Sequence, residues 1–396
     1  MGKQHEQISA VVSFSSNSPG TPTGYGQQAL YMVERMVRHG MRVAAMSNFG
    51  LEGRMEDLKV KGGKIPHYPK GLTLYSDDVL PSHHSRHRIG HEDKPHAIFT
   101  LYDTWTYQNP ELDEIPIISW VPLDHITLPL PVAKWVSKSN VTPIAMSPHG
   151  KRQLDSVNIG NTYIPHGVDT SVYKPTEFFD DTPGREFMRV KDEFLISMFA
   201  ANKASRHIHR KAFAENLLAV GIYMRKNPNT KLYLHSEPSA AYGGFHLPML
   251  LEACQIPPEK VMFADPFQLR HGYTKKQMAA LYTASDVLLA PSYGEGFGVP
   301  TVEAQATGTR AIASSWAASA DLVADDGWLV EGHAFWHEDQ KSWFKIPDVG
   351  SIVGALEQAA DMPREPSETS IEFASQFDVE RVWEEKWLPF FKGYFG

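Results

Sequence analysis

Two glutamates eight residues apart are the first candidates for chemistry in this sequence. Glu295 lies in the glycine-rich stretch PSYGEGFGVPTVEAQATG (residues 291–308), and Glu303 follows in the first turn or so of a predicted helix. The stretch comes directly after an apolar strand predicted at 286–290, and Pro300 suits a first helical turn because no N–H donor is needed there. The N–H groups and dipole at such a helix start bind anions, and carboxylates accept hydrogen bonds from sugar hydroxyls. The segment therefore predicts a phosphate pocket between two polyol-binding carboxylates.

The pattern E-G-F-G-x-P-x-x-E-A-x-A-x-G in this stretch resembles the E-x₇-E element of retaining family 4 glycosyltransferases of the GT-B fold. The resemblance implies that the first glutamate contacts the transferred sugar, that backbone amides meet the diphosphate and that the second glutamate holds the nucleotide ribose. The donor-binding residues implied here are Glu295, Gly296, Phe297, Gly298, Val299 and Glu303, with Glu295 also catalytic. The alternative is an ordinary strand–turn–helix connection with two exposed glutamates.

A basic loop, FAANKASRHIHRKAF (residues 199–213), follows another predicted strand. At this place the family usually presents an arginine and a lysine to the diphosphate. Lys211 matches the lysine, and the arginine stays open between Arg206, Lys203 and Arg210. Cations that face a leaving diphosphate stabilise its developing charge. The resemblance thus implies catalytic roles for Lys211 and Arg206 and donor binding by Lys203, Arg210 and Lys211. The alternative is a solvated basic loop.

Three further segments extend the resemblance. SPGTPTGYGQQ matches a glycine-rich loop near the donor phosphate and the acceptor, which implies donor binding at Gly24 and acceptor binding at Tyr25. IPIISWVPLDH resembles a strand of the family that ends in a histidine near the reacting sugar. The resemblance implies a catalytic His125, with Asp124 beside it on the acceptor side. A histidine of the core or surface is the alternative. IPHGVDTSVYKP (164–175) resembles the interdomain motif.

Short apolar runs rich in Val, Ile and Phe alternate with segments of helical spacing. Strands are predicted at 9–14, 42–47, 97–101, 116–120, 143–146, 194–200, 231–235, 260–263, 286–290 and 310–314. Helices are predicted at 25–39 and 211–225, where apolar residues recur on one face. This alternation favours parallel sheets covered on both faces. Ten strands are too many for one such sheet, so two doubly wound domains are expected.

The expected class is therefore α/β. The resemblance makes it GT-B, with two Rossmann-like domains facing a central cleft. The expected boundaries are 1–172 for an acceptor-binding domain, 173–192 for a linker, 193–375 for a nucleotide-sugar-binding domain and 376–396 for a C-terminal helix that packs back on the first domain. The linker contains Pro, Gly and paired Asp residues and has no clean period.

Composition limits the classes of function. The 396 residues are 42% hydrophobic and 21% charged, which is typical of a soluble globular chain. A net charge of −8 argues against a generic polyanion binder. The single cysteine, Cys254, excludes an internal disulfide. The N-terminus lacks the apolar core of a signal peptide, and no stretch approaches the ~18 apolar residues of a membrane span. We expect a cytoplasmic protein, in the host cytoplasm if the chain is viral, with no integral membrane association.

The acceptor is expected to bind the N-terminal half. Residues 59–96 contain seven basic and four acidic side chains, net +3, together with six histidines. This stretch indicates a groove for an anionic acceptor such as DNA or a phospholipid headgroup, with Arg86 and Arg88 as acceptor-binding residues. A solvated loop is the alternative. YPKG…YSDDVLPSH and SWVPLDH are similar to family 4 enzymes of bacteriophage and archaea, which implies a modified DNA base or a virion protein as acceptor.

The resemblance implies a retaining transfer of a hexose from a nucleotide-diphosphate sugar, of the UDP-glucose type, to an acceptor hydroxyl. No cofactor and no metal are expected, since the cations and the helix start neutralise the diphosphate. A non-catalytic or epimerase-type nucleotide-sugar-binding protein of the same fold is the alternative.

Overall fold

The computed structural model describes residues 6–51, 53–204 and 207–396. The chain forms two units, each with its own sheet and apolar core. Unit 1 contains the chain up to Leu123, Leu128–Gly167 and Val379–Gly396. Unit 2 contains Asp124–Thr127 and Val168–Asp378.

Unit 1 is built on an eight-stranded sheet in the order β3-β4-β2-β1-β5-β6-β7-β8. Its strands are β1 Val11–Asn17, β2 Arg42–Phe49, β3 Glu56–Val60, β4 Gly63–Tyr68, β5 His96–Thr100, β6 Ile117–Val121, β7 Val141–Ala145 and β8 Thr162–Tyr163. All neighbours pair in parallel except β3 and β4, which form an antiparallel hairpin at the edge. The five strands predicted in this half are confirmed, and the hairpin was not predicted.

Four helices precede the last segment of unit 1: α1 Gly24–Arg38, α2 Leu80–Arg88, α3 Leu130–Val136 and α4 Pro148–Asp155. Helix α1 begins where the Thr23 hydroxyl accepts a hydrogen bond from the N–H of Gly26 at 3.0 Å. Its apolar face, which includes Met32, Val33 and Met36, is fully buried. The helix predicted at 25–39 is therefore confirmed to within a residue at each end.

Unit 2 is built on a six-stranded parallel sheet in the order β13-β12-β11-β14-β15-β16, with two antiparallel hairpins, β9–β10 and β17–β18. Its strands are β9 Phe178–Phe179, β10 Thr182–Pro183, β11 Phe194–Phe199, β12 Thr230–His235, β13 Val261–Phe263, β14 Val287–Leu289, β15 Arg310–Ser314, β16 Trp328–Val330, β17 Gly332–His337 and β18 Ser342–Pro347. Its helices are α5 Gly184–Phe187, α6 Phe213–Lys226, α7 Leu247–Ala253, α8 Pro266–His271, α9 Lys275–Ala284, α10 Val299–Ala306, α11 Val349–Ala360 and α12 Glu368–Ser375. The two doubly wound sheets confirm the predicted fold class. Residues 173–192, expected as a linker, contain β9, β10 and α5 and group with unit 2.

The C-terminal segment belongs to unit 1 and consists of α13 Val379–Val382, a π-helical turn Trp383–Trp387 and α14 Leu388–Phe395. The indole of Trp387 is buried, with its ring 4.9 Å from Trp120 and 5.3 Å from Phe99. Removing such a buried indole typically costs about 3–5 kcal/mol, so the segment is an integral part of the core of unit 1.

Candidate active site

The order of the sheet in unit 2 places two loops side by side. Strand order runs in one direction from β11 to β13 and in the other from β14 to β16, so the sheet has its topological switch point between β11 and β14. Ligands of open α/β sheets bind at the carboxyl ends of the strands at such a point. The loop after β11 carries Arg210 and Lys211, and the loop after β14 carries Glu295. The fold thus brings together residues that are 84 or 85 positions apart.

The two loops are joined by ion pairs. Lys211 Nζ donates to Glu295 Oε1 at 2.5 Å, and Arg210 Nη1 donates to Glu295 Oε2 at 3.0 Å. Arg210 also lies 3.4 Å from the carboxylate of Asp124 and donates to the Gly294 carbonyl at 2.5 Å. Four of the predicted site residues therefore form one charged network.

Electrostatics in this network favour the charged forms of its two carboxylates. Burial alone would raise the pKa of Glu295, but Lys211 and Arg210 outweigh it and hold the pKa below its ordinary value. The pKa of Asp124 is also lowered, because His125 and Arg210 outweigh its burial. Burial lowers the pKa of Lys211, and Glu295 partly opposes this. Arg210 and Lys211, neighbours on one loop, both face the carboxylate of Glu295.

Local backbone geometry fixes these loops. Ala212 adopts a left-handed conformation, φ 50°, immediately before α6. The Asn216 amide donates to the carbonyl of Pro291 at 3.0 Å and so ties the start of α6 to the loop after β14. A Cβ on Gly294 would lie 1.9 Å from the Asp124 carbonyl oxygen and 2.9 Å from the Phe344 ring. Only glycine permits this close approach.

Helix α10 starts without a side-chain cap. Its N-terminal neighbour Gly298 has φ 115°, which L side chains rarely adopt, and Pro300 occupies the first turn. Phe297 is buried and packs edge-on against Phe377 at 5.6 Å. Gly296 is buried and Val299 is half-buried. This arrangement leaves the helix start without a competing side-chain oxygen.

Glu303, on α10, has different partners from Glu295. It accepts a hydrogen bond from the Tyr282 hydroxyl at 3.1 Å and interacts with Tyr173. Burial raises the pKa of Glu303 to about 7, and the two tyrosine hydrogen bonds and Lys275 oppose that rise only partly. Glu303 is therefore a carboxyl group that changes charge near neutral pH.

His125 makes contacts that the sequence analysis did not predict. Its Nδ1 lies 2.6 Å from the Asp124 carboxylate, and its Nε2 lies 3.0 Å from Nδ1 of His337. The Phe344 ring stacks on the imidazole with centroids 3.9 Å apart. His337 and Phe344 come from the hairpin β17–β18, whose aromatic-rich sequences (HAFWH and SWFKI) could have signalled strands, although not their contact with residue 125.

Of two other predicted donor residues, Lys203 acts on this network through its charge, which contributes to the lowered pKa of Lys211. The Lys203 side chain is exposed, and its backbone bridges to Tyr242 and Gly243. Arg206 lies outside the described residues. Its predicted role stays a prediction, and Arg210 is the arginine that the structure places beside Glu295.

In unit 1, Gly24 is exposed at the start of α1, and Tyr25 lies in an aromatic cluster. The ring of Tyr25 is 5.5 Å from Tyr102, which is 5.3 Å from Tyr75, and Tyr75 is in turn 5.3 Å from Trp105. The cluster follows β1 and β5, the strands that flank the switch point of this sheet. Sequence reasoning identified only the tyrosine of α1.

The basic stretch of unit 1 is partly folded into α2. Arg86 is exposed and Arg88 half-exposed on this helix. Its histidines His84 and His87 are buried, and burial lowers their pKa values to about 3 and 4. They are neutral at pH 7, so they do not add to the positive charge expected for this stretch.

Among residues 6–51, 53–204 and 207–396, no group of three or more His, Cys, Asp or Glu side chains is placed to hold a metal ion. Within the same described part, no helix has the length and apolar character needed to traverse a bilayer.

The two doubly wound sheets form the GT-B fold. The chain is similar to sucrose-phosphate synthase from Thermosynechococcus elongatus, with a TM-score of 0.71 and 15% identity over 98% of this chain and 99% of that one. It is also similar to Anabaena HepE solved in complex with UDP-glucose, with a TM-score of 0.69 and 13% identity over 96% and 99% of the two chains.

Sequence comparison shows the family. The family described as "Glycosyl transferases group 1" matches residues 262–339. The D-inositol 3-phosphate glycosyltransferase of Streptomyces scabiei is 33% identical over 319 residues, which cover 74% of this chain and 68% of that protein. The chain belongs to the group 1 glycosyltransferases. Alignments with the enzymes of the same name from Mycolicibacterium smegmatis and Streptomyces avermitilis span only 24% and 37% of those proteins.

Proposed function

We propose that this protein is a retaining glycosyltransferase that moves a hexose from a nucleotide-diphosphate sugar to an acceptor hydroxyl. The observation that carries the proposal is the network of Lys211, Arg210 and Glu295 at the switch point of unit 2, next to the uncapped start of α10. Two cations and a helix dipole at one point are suited to a diphosphate.

In the proposed reaction, Lys211, Arg210 and the N–H groups at 296–299 bind the diphosphate and stabilise its charge as the sugar–phosphate bond breaks. Glu295 holds the two cations in place before the donor arrives, and its carboxylate accepts hydrogen bonds from sugar hydroxyls. The acceptor hydroxyl attacks the face that the diphosphate leaves, and the departing phosphate takes its proton. The stereochemical configuration at the anomeric carbon is thereby retained.

Glu303 is proposed to bind the ribose of the nucleotide. Its carboxylate is held by the Tyr282 hydroxyl at 3.1 Å, and a pair of vicinal hydroxyls can donate to its two oxygens. A donor of the UDP-glucose type is proposed, which the likeness to a protein solved with UDP-glucose supports. No metal is proposed, since the cations already present oppose the diphosphate charge.

The proposed acceptor is an anionic polyol bound by unit 1. The names of relatives support a phosphate-bearing acceptor, since D-inositol 3-phosphate and sucrose-phosphate appear in them. Tyr25, with Arg86 and Arg88, is proposed to contact it, and Asp124 and His125 to face the reacting hydroxyl. A modified DNA base or a virion protein in a host cytoplasm is the alternative acceptor, based on the sequence resemblance.

A nucleotide-sugar panel tests the proposal. The protein is incubated with UDP-, GDP-, ADP- and TDP-sugars, and products are separated by chromatography. Slow donor hydrolysis with release of the nucleoside diphosphate, abolished in Lys211→Ala, supports transfer chemistry. Conversion of the donor to its sugar isomer would indicate the epimerase-type alternative. Binding raises the melting temperature, so a raised melting temperature without turnover would indicate a nucleotide-sugar-binding protein.

A further inference from the structure

The hairpin β17–β18 is fastened to the short segment that carries His125. The N–H of Ile126 donates to the Trp343 carbonyl at 2.9 Å, and the hydroxyls of Thr127 and Ser342 are 2.8 Å apart. The hairpin places Nδ1 of His337 3.0 Å from Nε2 of His125. All of these residues belong to unit 2.

We propose that His337 is a positioning residue that fixes the tautomer and the ring orientation of His125. Its consequence for catalysis rests on the proposed function, but the positioning itself does not. The hairpin acts as a second support of the site, remote in sequence from the glycine-rich loop and the basic loop.

Hydrogen-bond roles follow from the charges. The carboxylate of Asp124 is ionised at neutral pH because its neighbours lower its pKa, so it can only accept. Nδ1 of His125 lies 2.6 Å from that carboxylate, and this negative neighbour favours the tautomer that carries the hydrogen on Nδ1. When the ring is neutral in that tautomer, Nε2 is an acceptor, and Nδ1–H of His337, 3.0 Å away, is the donor that can meet it. His125 is therefore held from both sides, by Asp124 at Nδ1 and by His337 at Nε2.

Packing restricts the ring as well. Phe344 stacks on the imidazole of His125 at 3.9 Å with an angle of 19° between the planes, and His125 itself is 5% exposed. His337 lies on the same side, with its ring 5.2 Å from Phe344. A ring flip of His125 would exchange nitrogen for carbon at both its contact with Asp124 and its hydrogen bond with His337. The hairpin therefore selects one of the two ring orientations of His125 and one of its two tautomers.

Nitrogen-15 NMR of the histidine side chains measures the tautomer directly, with the His125 signal assigned by its absence in His125→Gln. In the wild type we expect a fixed Nδ1–H tautomer. In His337→Ala we expect a tautomer mixture. In His337→Asn the Asn amide can donate from nearly the same position, and we expect the fixed tautomer to return. His333→Ala is the matched control, since His333 lies on the same strand with its side chain 79% exposed.

Kinetics give the second readout. Loss of a residue that orients a functional side chain typically costs about ten- to a hundredfold, so kcat of His337→Ala should fall by that factor with KM for the donor within about twofold. His337→Asn should recover most of the lost kcat. Melting temperatures verify folding, and Phe344→Leu provides a second variant should His337→Ala fail to fold.

An unchanged His125 tautomer in the alanine variant would overturn the inference. A changed tautomer in a protein that turns over no nucleotide sugar would instead count against the proposed function and leave the positioning role standing.

Discussion

Nucleotide-sugar binding should depend on pH through a single buried carboxyl group. Burial raises the pKa of Glu303 from 4.5 to about 7 in the folded protein. If its carboxylate accepts the ribose hydroxyls, only the ionised form binds well. Binding therefore pulls the proton off, and affinity should rise with pH until the carboxyl group is fully ionised.

The magnitude follows from the pKa. With a pKa of about 7, about one molecule in eleven carries the ionised group at pH 6 and about ten in eleven at pH 8. Since apparent affinity scales with the competent fraction, the Kd should be about tenfold tighter at pH 8 than at pH 6. About nine-tenths of a proton should be released per ligand bound at pH 6.

Isothermal titration calorimetry with UDP-glucose measures both quantities, because heats in buffers of different ionisation enthalpy report the protons released. UDP-glucose is suitable since both of its phosphates are esterified and do not titrate in this range. Glu303→Gln should bind weakly at every pH and release no proton. Tyr282→Phe removes a hydrogen bond that favours the ionised form, so its transition should move to higher pH.

The pH dependence of folding stability gives an independent check of this pKa. Its sign is opposite to that of the pH dependence of binding. The folded protein holds this proton more tightly than the unfolded chain, so the free energy of unfolding should fall as pH rises from 4.5 to about 7. The rise in pKa corresponds to about 3 kcal/mol, and Glu303→Gln should lack this loss. A Kd that stays within about twofold from pH 6 to pH 8, together with wild-type affinity in Glu303→Gln, would refute the reasoning.

Three further outcomes are expected. Gly294→Ala should abolish turnover, because its Cβ would overlap the Asp124 carbonyl oxygen. Gly354→Ala, with open space around it in α11, should instead raise the free energy of unfolding in urea by about 0.5–1 kcal/mol. Equal activity in the two variants would contradict this reasoning. Lys211→Ala should lower the transfer rate about a hundredfold, and a rate within twofold of wild type would remove this lysine from the site. Replacing Arg86 and Arg88 by alanine should raise KM for a phosphorylated acceptor and weaken its dependence on salt, unless the acceptor binds elsewhere.

Much of the fold is encoded locally. The strand Arg310–Ser314 has the bounds that its apolar run predicts, since small and apolar residues are buried along its whole length. The helix predicted at 211–225 is observed at Phe213–Lys226, because the left-handed conformation of Ala212 delays its start. The spacing of apolar residues and the positions of turn residues suffice to predict an element that buries one regular face.

Helix α2 shows where such reasoning fails. LPSHHSRHR has no apolar stripe, and the sequence analysis treated it as part of a charged groove. Beyond Leu80 and Pro81 at its start, its buried face is formed by His84 and His87, which lie three positions apart and point the same way. His84 is accommodated because its ring nitrogens meet Ser13 at 2.8 Å and His96 at 2.9 Å. Those partners lie on other elements, so their contribution cannot be derived from local pattern.

The candidate site divides in the same way. Glu295 and Lys211 could be selected from motif resemblance, and the structure joins them by an ion pair. The contact of His125 with His337 spans 212 positions and depends on how a hairpin packs. A histidine in a strand rich in aromatic residues carries no local signal of such a contact.

The return of the final residues to unit 1 has a consequence for biosynthesis. Trp383, Trp387 and Phe391 fill the interior of a unit whose first strand is translated before all of unit 2. All parts of unit 2 have left the peptidyl-transfer centre before these aromatic residues are added. Unit 1 must therefore wait, with apolar surface uncovered, until Phe391 has been translated, and nascent chains that stall before that residue are the species that chaperones would have to shield.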